Sequence, residues 1–228
     1  MKKKRILLFL LFFFGCGILI SLLLLFSWMR ENQKTEEIVK EEAKHLKKEK
    51  VYYLEEELFE KNSDTIGWIL VPGTSISYPV VRTNDNDYYL DHDFYREKNS
   101  AGWIFLDSHN TLSDQNLVIY GHHRHDGSMF GDIDLLFDSN YYQEHSEVLF
   151  ITKEEEIHYQ IFSVYKISSN DSYILPNFDD FEKNIQLFQK RSEISLEEKK
   201  IETSQILTLS TCHDNNRDRL VVHGYRKN

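Results

Sequence analysis

The feature that most constrains this chain is an uncharged apolar segment close to its N-terminus. Residues 6–29 contain no Asp, Glu, Lys or Arg and are dominated by Leu, Phe and Ile. A helix needs ~20 apolar residues to cross the hydrocarbon core of a bilayer, so this segment predicts one transmembrane helix. Four basic residues precede it at positions 2–5, and the positive-inside rule places that end in the cytoplasm. The sequence therefore predicts a single-pass cell-membrane protein whose remaining residues are extracellular.

A cleaved signal peptide is the alternative interpretation of the same segment. The apolar core of a signal peptide usually spans about 7–15 residues and is followed by a small-residue cleavage site. This apolar run is longer, and Ser27-Trp28-Met29 is a poor cleavage site. We therefore favour an uncleaved anchor, with residues 1–5 as a cytoplasmic tail and residues 6–29 as the transmembrane helix.

The part of the chain after the anchor is acidic. The whole sequence has 27 Lys and Arg residues and 37 Asp and Glu residues, and setting aside the four basic residues at positions 2–5 leaves 23 against 37, a formal net charge of −14. A protein that binds the phosphate backbone of nucleic acid needs a basic surface. The charge balance therefore excludes nucleic acid as a partner.

Two regions follow the anchor. Residues 30–62 are rich in Glu and Lys and contain no Pro or Gly, which predicts a solvated helical stalk with opposite charges three or four residues apart. Residues 63–228 alternate short β-branched and aromatic runs with turns, a pattern typical of a mainly antiparallel β-barrel or sandwich. Strands are expected at residues 67–71, 77–81, 102–106, 117–120, 148–152, 157–167, 205–211 and 220–225, and helices at 129–142 and 179–191, the second with Phe181, Ile185 and Phe188 on one face.

The exported region contains a single cysteine, Cys212, because Cys16 lies inside the apolar segment. Outside the cell, structural cysteines normally pair, so an unpaired one indicates a reactive thiol or an intermolecular bridge. A buried, inert cysteine is the alternative. Cys212 follows a predicted strand and precedes a polar loop, so we expect it at an accessible strand end.

A nucleophilic thiol needs a basic or cationic neighbour, because a free thiol is mostly protonated at neutral pH. His122 is the leading candidate, since Gly121 before it is expected to let the backbone turn and project the imidazole. Arg219 begins the strand after Cys212 and would lie beside it in an antiparallel pair, where a guanidinium can stabilise an oxyanion. By spacing alone, an arginine at this position is more often simply solvated.

Three segments together resemble sortases, particularly class B. They are Tyr120-Gly121-His122 with Asp-Gly-Ser-Met-Phe at residues 126–130, Thr-Leu-Ser-Thr-Cys at residues 208–212, and Arg-Leu-Val-Val-His at residues 219–223. The resemblance covers about residues 63–225 and includes the order of the motifs, the helix between the late strands and the N-terminal anchor. It implies an eight-stranded β-barrel in residues 63–228, with His122, Cys212 and Arg219 as the catalytic residues. It also implies that Ser210 and Thr211 line the substrate groove.

The activity that this resemblance implies is transpeptidation. The Cys212 thiolate would attack a Thr carbonyl in the C-terminal sorting motif of an exported protein, and an amine of peptidoglycan would resolve the thioacyl enzyme. Three alternatives stay open: a pilin-polymerising sortase that uses a pilin lysine, a wall-directed cysteine peptidase, and an anchored β-barrel binding module with a buried cysteine.

No cofactor or metal is expected. The histidines near His122 allow a metal site formed by His122 or His123 with His125 and Asp126, but no second ligand cluster with suitable spacing is evident in the sequence. His123 and His125 are instead expected on an exposed loop. His223, in the last strand, is expected to be a hydrogen-bonded structural histidine.

Overall fold

The computed structural model describes residues 2–49, 52–168, 172–194, 200–213 and 218–227. The chain divides into two compact units, Met1–Ile38 and Val39–Asn228. Helix α1 (Lys2–Glu42) forms the first unit with its residues up to Ile38, and its last turn belongs to the second unit. An 18-residue window of this helix has a mean hydropathy of 2.9, and its apolar side chains face outward, as for Phe12, which is 71% exposed. By length and composition this helix can cross a membrane, and a signal sequence would meet the same criteria.

Within the described residues, eight strands of the second unit close into a barrel, which confirms the predicted fold. The barrel strands are β3 (Thr65–Leu70), β4 (Ser77–Val81), β5 (Phe105–Leu106), β6 (Asn116–Gly121), β7 (Glu147–Ile151), β8 (Glu156–Ser168), β9 (Ile206–His213) and β10 (Asp218–Arg226). The order around the barrel is β10-β8-β7-β3-β4-β5-β6-β9. The pairs β4–β5 and β6–β9 are parallel, and the other described pairs are antiparallel.

The helix predicted at residues 179–191 is present as α4 (Phe181–Arg191) and packs against strand β8. The Asp180 carboxylate accepts a hydrogen bond from the Lys183 amide and caps the helix N-terminus. Ile185 and Phe188 are buried, and Phe181 packs at the edge of the same cluster. The cluster also contains Phe162, Tyr165, Tyr173, Phe178, Ile206 and Val221.

The helix predicted at residues 129–142 is divided. A 3-10 segment (Gly131–Phe137) is followed by the short helix α3 (Ser139–Glu144). The Asp138 side chain accepts hydrogen bonds from the amides of Asn140 and Tyr141. Because an N-cap residue satisfies the free amides of a new helix, it favours a new start at this point over a continuous helix.

The segment expected to form a helical stalk is helical only in part. Helix α1 ends at Glu42, a 3-10 turn (Ala43–His45) follows, and strands β1 (Leu46–Lys48) and β2 (Tyr52–Leu54) form an antiparallel hairpin before helix α2 (Glu56–Lys61). Aromatic residues at the start of β2 favour an extended strand over a helix. Polar contacts then hold this region to the barrel, as in the 2.7 Å ion pair between Lys153 and Glu56.

Five side chains at this end of the second unit form an ionic cluster: Glu42, His45, Glu55, Lys61 and Tyr95. The Glu42 carboxylate is fully buried and lies 3.3 Å from the Lys61 ammonium, and the Tyr95 hydroxyl donates to it. Lys61 also contacts His45 Nε2 at 2.9 Å, and His45 Nδ1 lies 3.0 Å from Glu55. A buried carboxylate requires such partners, because losing hydration costs several kcal/mol.

Candidate active site

The sequence-predicted residues meet at the ends of three neighbouring strands. Strands β6 and β9 are parallel, with Gly121 opposite Thr211, and β9 and β10 are antiparallel, with Cys212 opposite Arg219. His122 follows Gly121 as Cys212 follows Thr211, so the two backbones continue side by side past the last residue pair of β6 and β9. The backbone of Cys212 therefore lies between the backbones of His122 and Arg219.

The imidazole of His122 is held by the chain segment that crosses in front of it. His122 Nε2 donates to the carbonyl oxygen of Leu90 at 2.6 Å. A carbonyl can only accept, so Nε2 carries a hydrogen, and in the neutral ring Nδ1 is the nitrogen with the lone pair. Gly102 has a φ of +59°, and a Cβ there would lie 2.8 Å from His122 Cδ2. A glycine at this position therefore leaves room for the imidazole, and no motif in the sequence marks it.

Gly121 serves a different purpose from the one expected. It is not among the described residues with a positive φ, so it does not supply an unusual turn. A Cβ at Gly121 would lie 2.5 Å from Ile104 Cδ1 and 2.8 Å from the Phe130 ring. Glycine suits this position because the packed side chains of Ile104 and Phe130 leave no room for a Cβ.

A cleft with a volume of about 260 Å³ opens beside these strand ends. Ser210 and Thr211 line this cleft. They are only 1% and 2% exposed, so little of either residue reaches its surface. The Ser210 hydroxyl is hydrogen-bonded to the Tyr173 hydroxyl at 2.9 Å. The cleft is also lined by Asn86, Asp87, Leu90, Phe105, Tyr120, Gly121, His122, Tyr173, Ile174 and Arg219.

One wall of the cleft is held by the buried carboxylate of Asp107. The Tyr120 hydroxyl and the Asn86 amide each donate to Asp107 Oδ2 at 2.9 Å. Burial, followed by the charge of Asp107, raises the pKa of Tyr120 above its ordinary value, and the charge of Arg219 acts in the opposite direction. Tyr120 is therefore protonated at physiological pH. Sequence reasoning missed Asn86 and Tyr173 because no motif spacing joins these segments.

The remaining histidines have other partners. His123 Nε2 lies 2.7 Å from the Asp134 carboxylate and its side chain is mostly buried, unlike the exposed position expected, whereas His125 is exposed. His223 is buried and hydrogen-bonded to Tyr165 and Thr208. Among the side chains that the structure describes, no three His, Cys, Asp or Glu residues are arranged to hold a metal ion. The side chain of Cys212 lies outside the described residues, so its accessibility stays a prediction.

Comparison with known proteins identifies the family. The family model for the sortase domain matches residues 69–227. Sortase B of Listeria monocytogenes is 36% identical over 171 residues, which cover 72% of this chain and 70% of the relative.

Two solved structures are similar in fold. The crystal structure of Clostridium perfringens sortase B aligns with a TM-score of 0.71 and 34% identity, covering 75% of this chain and 98% of that one. A Staphylococcus aureus sortase B–substrate complex aligns with a TM-score of 0.70 and 30% identity, covering 88% of this chain and 94% of that one. With these matches in sequence and fold, the chain belongs to the sortase family, whose members are generally cysteine transpeptidases.

Proposed function

We propose that this chain is a class B-like sortase that cleaves a C-terminal sorting motif of exported proteins and transfers them to an amine of peptidoglycan. Cys212 is the nucleophile, His122 the proton carrier and Arg219 the stabiliser of the oxyanion. The observation that carries the proposal is the strand register, which sets Cys212 opposite Arg219 and continues from the parallel pair Gly121–Thr211 toward His122.

The first half of the reaction cleaves the substrate. The Cys212 thiolate forms a C–S bond to the Thr carbonyl carbon, and the oxygen that becomes negative accepts from the Arg219 guanidinium. When the intermediate collapses, the C–N bond breaks and the protonated His122 gives its Nδ1 proton to the leaving amine. A thioacyl enzyme with a neutral His122 remains.

The second half transfers the acyl group. The incoming amine attacks the thioester carbon, His122 Nδ1 takes the proton that the amine loses, and the C–S bond breaks to regenerate the thiolate. The product has one amide bond in place of the amide that was cleaved. A cysteine peptidase would use water at this step, and a pilin-polymerising enzyme would use a lysine of a pilin.

The partners and location belong to the same proposal. The S. aureus relative is described as a substrate complex, which supports an exported protein with a C-terminal sorting signal as the substrate here. Helix α1 would anchor the enzyme with residues 1–5 in the cytoplasm and residues 63–228 outside the cell, as the basic residues before the apolar segment indicate.

The test uses the full-length chain in detergent with a library of sorting-motif peptides, followed by mass spectrometry of the enzyme and of the products formed with amines. The wild type should gain a peptide mass on Cys212 and transfer it to an amine in preference to water. Cys212→Ala should form neither adduct nor product, whereas Cys16→Ala, which removes the other thiol of the chain, should keep both. Turnover by Cys212→Ala would disprove the assignment of Cys212 as the nucleophile.

Arg219→Lys separates a specific role of the guanidinium from its charge alone. Lysine keeps the positive charge but lacks the planar fork of donors, so the rate should fall about 100-fold with little change in peptide affinity. Normal kinetics in this variant would remove Arg219 from the mechanism.

In the wild type, release of hydrolysed peptide alone, with no amine product, would favour the peptidase alternative.

A further inference from the structure

A chain of buried side chains runs behind the cleft, from β8 to β6. Tyr165, His223, Thr208 and Asn116 are each at most 1% exposed. The Tyr165 hydroxyl lies 2.8 Å from His223 Nε2, His223 Nδ1 lies 2.8 Å from Thr208 Oγ1, and Thr208 Oγ1 lies 2.6 Å from Asn116 Oδ1. We refer to these four residues as the relay.

The relay ends on the backbone of a cleft wall. Asn116 Nδ2 donates to the carbonyl oxygens of Tyr173 and Leu175, each at 3.0 Å. The Asn116 backbone amide donates to the Pro176 carbonyl at 2.9 Å. Tyr173 and Ile174 line the cleft, so hydrogen bonds from Asn116 hold the segment that forms this part of its wall.

The hydrogen atoms of the relay can be ordered in only one direction. Two carbonyls can only accept, so the NH₂ group of Asn116 faces them and its oxygen faces Thr208. The Thr208 hydroxyl must then donate to Asn116 and accept from His223 Nδ1–H. The other ring nitrogen, Nε2, has a lone pair and accepts from the Tyr165 hydroxyl. Every link is thus satisfied when His223 is neutral with its hydrogen on Nδ1.

The surroundings of His223 keep it in that form. Its ring stacks on Phe188, with the ring centres 4.1 Å apart. Burial, followed by the charge of Arg191, lowers the pKa of His223 to about 3. The imidazole is therefore neutral throughout the physiological range.

We propose that Asn116, Thr208 and His223 are positioning residues that fix the segment 173–175 and thereby the shape of the substrate cleft. The Tyr173 hydroxyl reaches Ser210, two residues before Cys212 in β9, so a displacement of this segment would alter the cleft next to the nucleophile. The inference rests on the proposed function, since its kinetic consequence is a change in the binding of a sorting peptide.

The competing explanation is that the relay only satisfies buried polar groups. In that case a broken link would lower stability without changing the segment or the affinity for peptide. A control must therefore remove a buried hydroxyl of the same barrel that does not belong to the relay. Thr152, between β7 and β8, is 5% exposed, and its hydroxyl accepts from the amides of Glu154 at 3.2 Å and Glu155 at 3.1 Å.

The experiment compares Thr208→Val, Thr208→Ser and the control Thr152→Val in the full-length chain in detergent. Valine keeps the shape of threonine but lacks its hydroxyl, whereas serine keeps the hydroxyl. Hydrogen–deuterium exchange is measured on residues 172–178, together with KM and kcat for a cleaved sorting peptide. A lost hydrogen bond in the relay should make exchange in Thr208→Val about tenfold faster and raise KM about tenfold, with a smaller change in kcat.

The conservative variant and the control complete the test. Thr208→Ser should restore both exchange and KM, and Thr152→Val should lower the melting temperature while leaving exchange at 172–178 and KM at wild-type values. Wild-type exchange in Thr208→Val, or equal effects in Thr208→Val and Thr152→Val, would overturn the proposal. If the wild type cleaves no sorting peptide, the proposed function fails, and the exchange measurement still decides whether the relay fixes the segment.

Discussion

The ionic cluster and the relay solve the same problem in opposite ways. Each connects polar side chains from distant segments around at least one buried group, but the ionic cluster does so with a carboxylate and an ammonium, and the relay with neutral groups alone. In the ionic cluster the fully buried Glu42 depends on the charge of Lys61, whose side chain is 21% exposed. In the relay no group carries a charge, and its order depends on which nitrogen of His223 carries the hydrogen.

The difference shows what each arrangement tolerates. A buried ion pair is strongly destabilised by the loss of one partner, because the other charge is left in a medium of low polarity. A neutral chain is affected less by salt and depends on the state of a single imidazole. The neutral arrangement lies beside the candidate active site, where the cleft wall must keep its shape.

The largest expected effect comes from removing the cation of the ionic cluster. Lys61→Met keeps much of the aliphatic stem but leaves the Glu42 carboxylate without its ammonium, so the free energy of unfolding should fall by about 3–5 kcal/mol. Denaturant unfolding of the full-length chain measures this. Lys98→Met is the matched control, since Lys98 pairs with Asp91 on the surface, and its loss should cost less than about 1 kcal/mol. Equal losses of unfolding free energy in the two variants would show that burial of Glu42 does not strengthen its dependence on Lys61.

An intermediate effect is expected from the titration of His223. Its pKa is about 3 in the folded chain against 6.5 ordinarily, so below pH 6.5 the unfolded chain binds a proton that the folded chain does not. Stability is therefore full well above pH 6.5 and is lost as the pH falls, with a slope that approaches about 1.4 kcal/mol per pH unit and a total of about 3 kcal/mol by pH 4.5.

A variant without the imidazole tests this pH dependence. His223→Asn should be less stable at pH 7 than the wild type, yet its stability should fall less steeply between pH 6.5 and 4.5. Lys98→Met, which removes only a surface charge, should keep the steep wild-type slope. Parallel slopes for the wild type and His223→Asn, measured by denaturant unfolding at several pH values, would contradict the buried neutral imidazole.

The smallest expected effect is the response to salt. Because Lys61 is partly exposed, salt should screen its attraction to Glu42, and the stability gap between the wild type and Lys61→Met should shrink by about 0.5 kcal/mol between 0.05 and 0.5 M NaCl. The gap between the wild type and Thr208→Val should stay constant, since no charge is involved. The two regions would not differ in this respect if salt reduced the stability gap of Thr208→Val as much as that of Lys61→Met.

The sequence alone determined the fold class, the apolar helix and the order of the motifs. Alternation of apolar and polar residues and the length of an uncharged run are local patterns, so they could be recognised before any contact was known. The eight predicted strands are all present, and β5 is shortened most, with two residues where five were expected. The helical face of Ile185 and Phe188 was likewise visible in the sequence, because a period of 3.6 residues marks one side of a helix.

The tertiary structure decided what lies around those motifs. The parallel pairing of β6 with β9 brings His122 toward Cys212, and only closure of the barrel produces it. The end of α1 at Glu42 and the lack of space for a Cβ at position 121 also depend on packing against distant segments. The relay ends on the carbonyls of Tyr173 and Leu175, and because every residue has a carbonyl, no pattern of side chains distinguishes these two in advance.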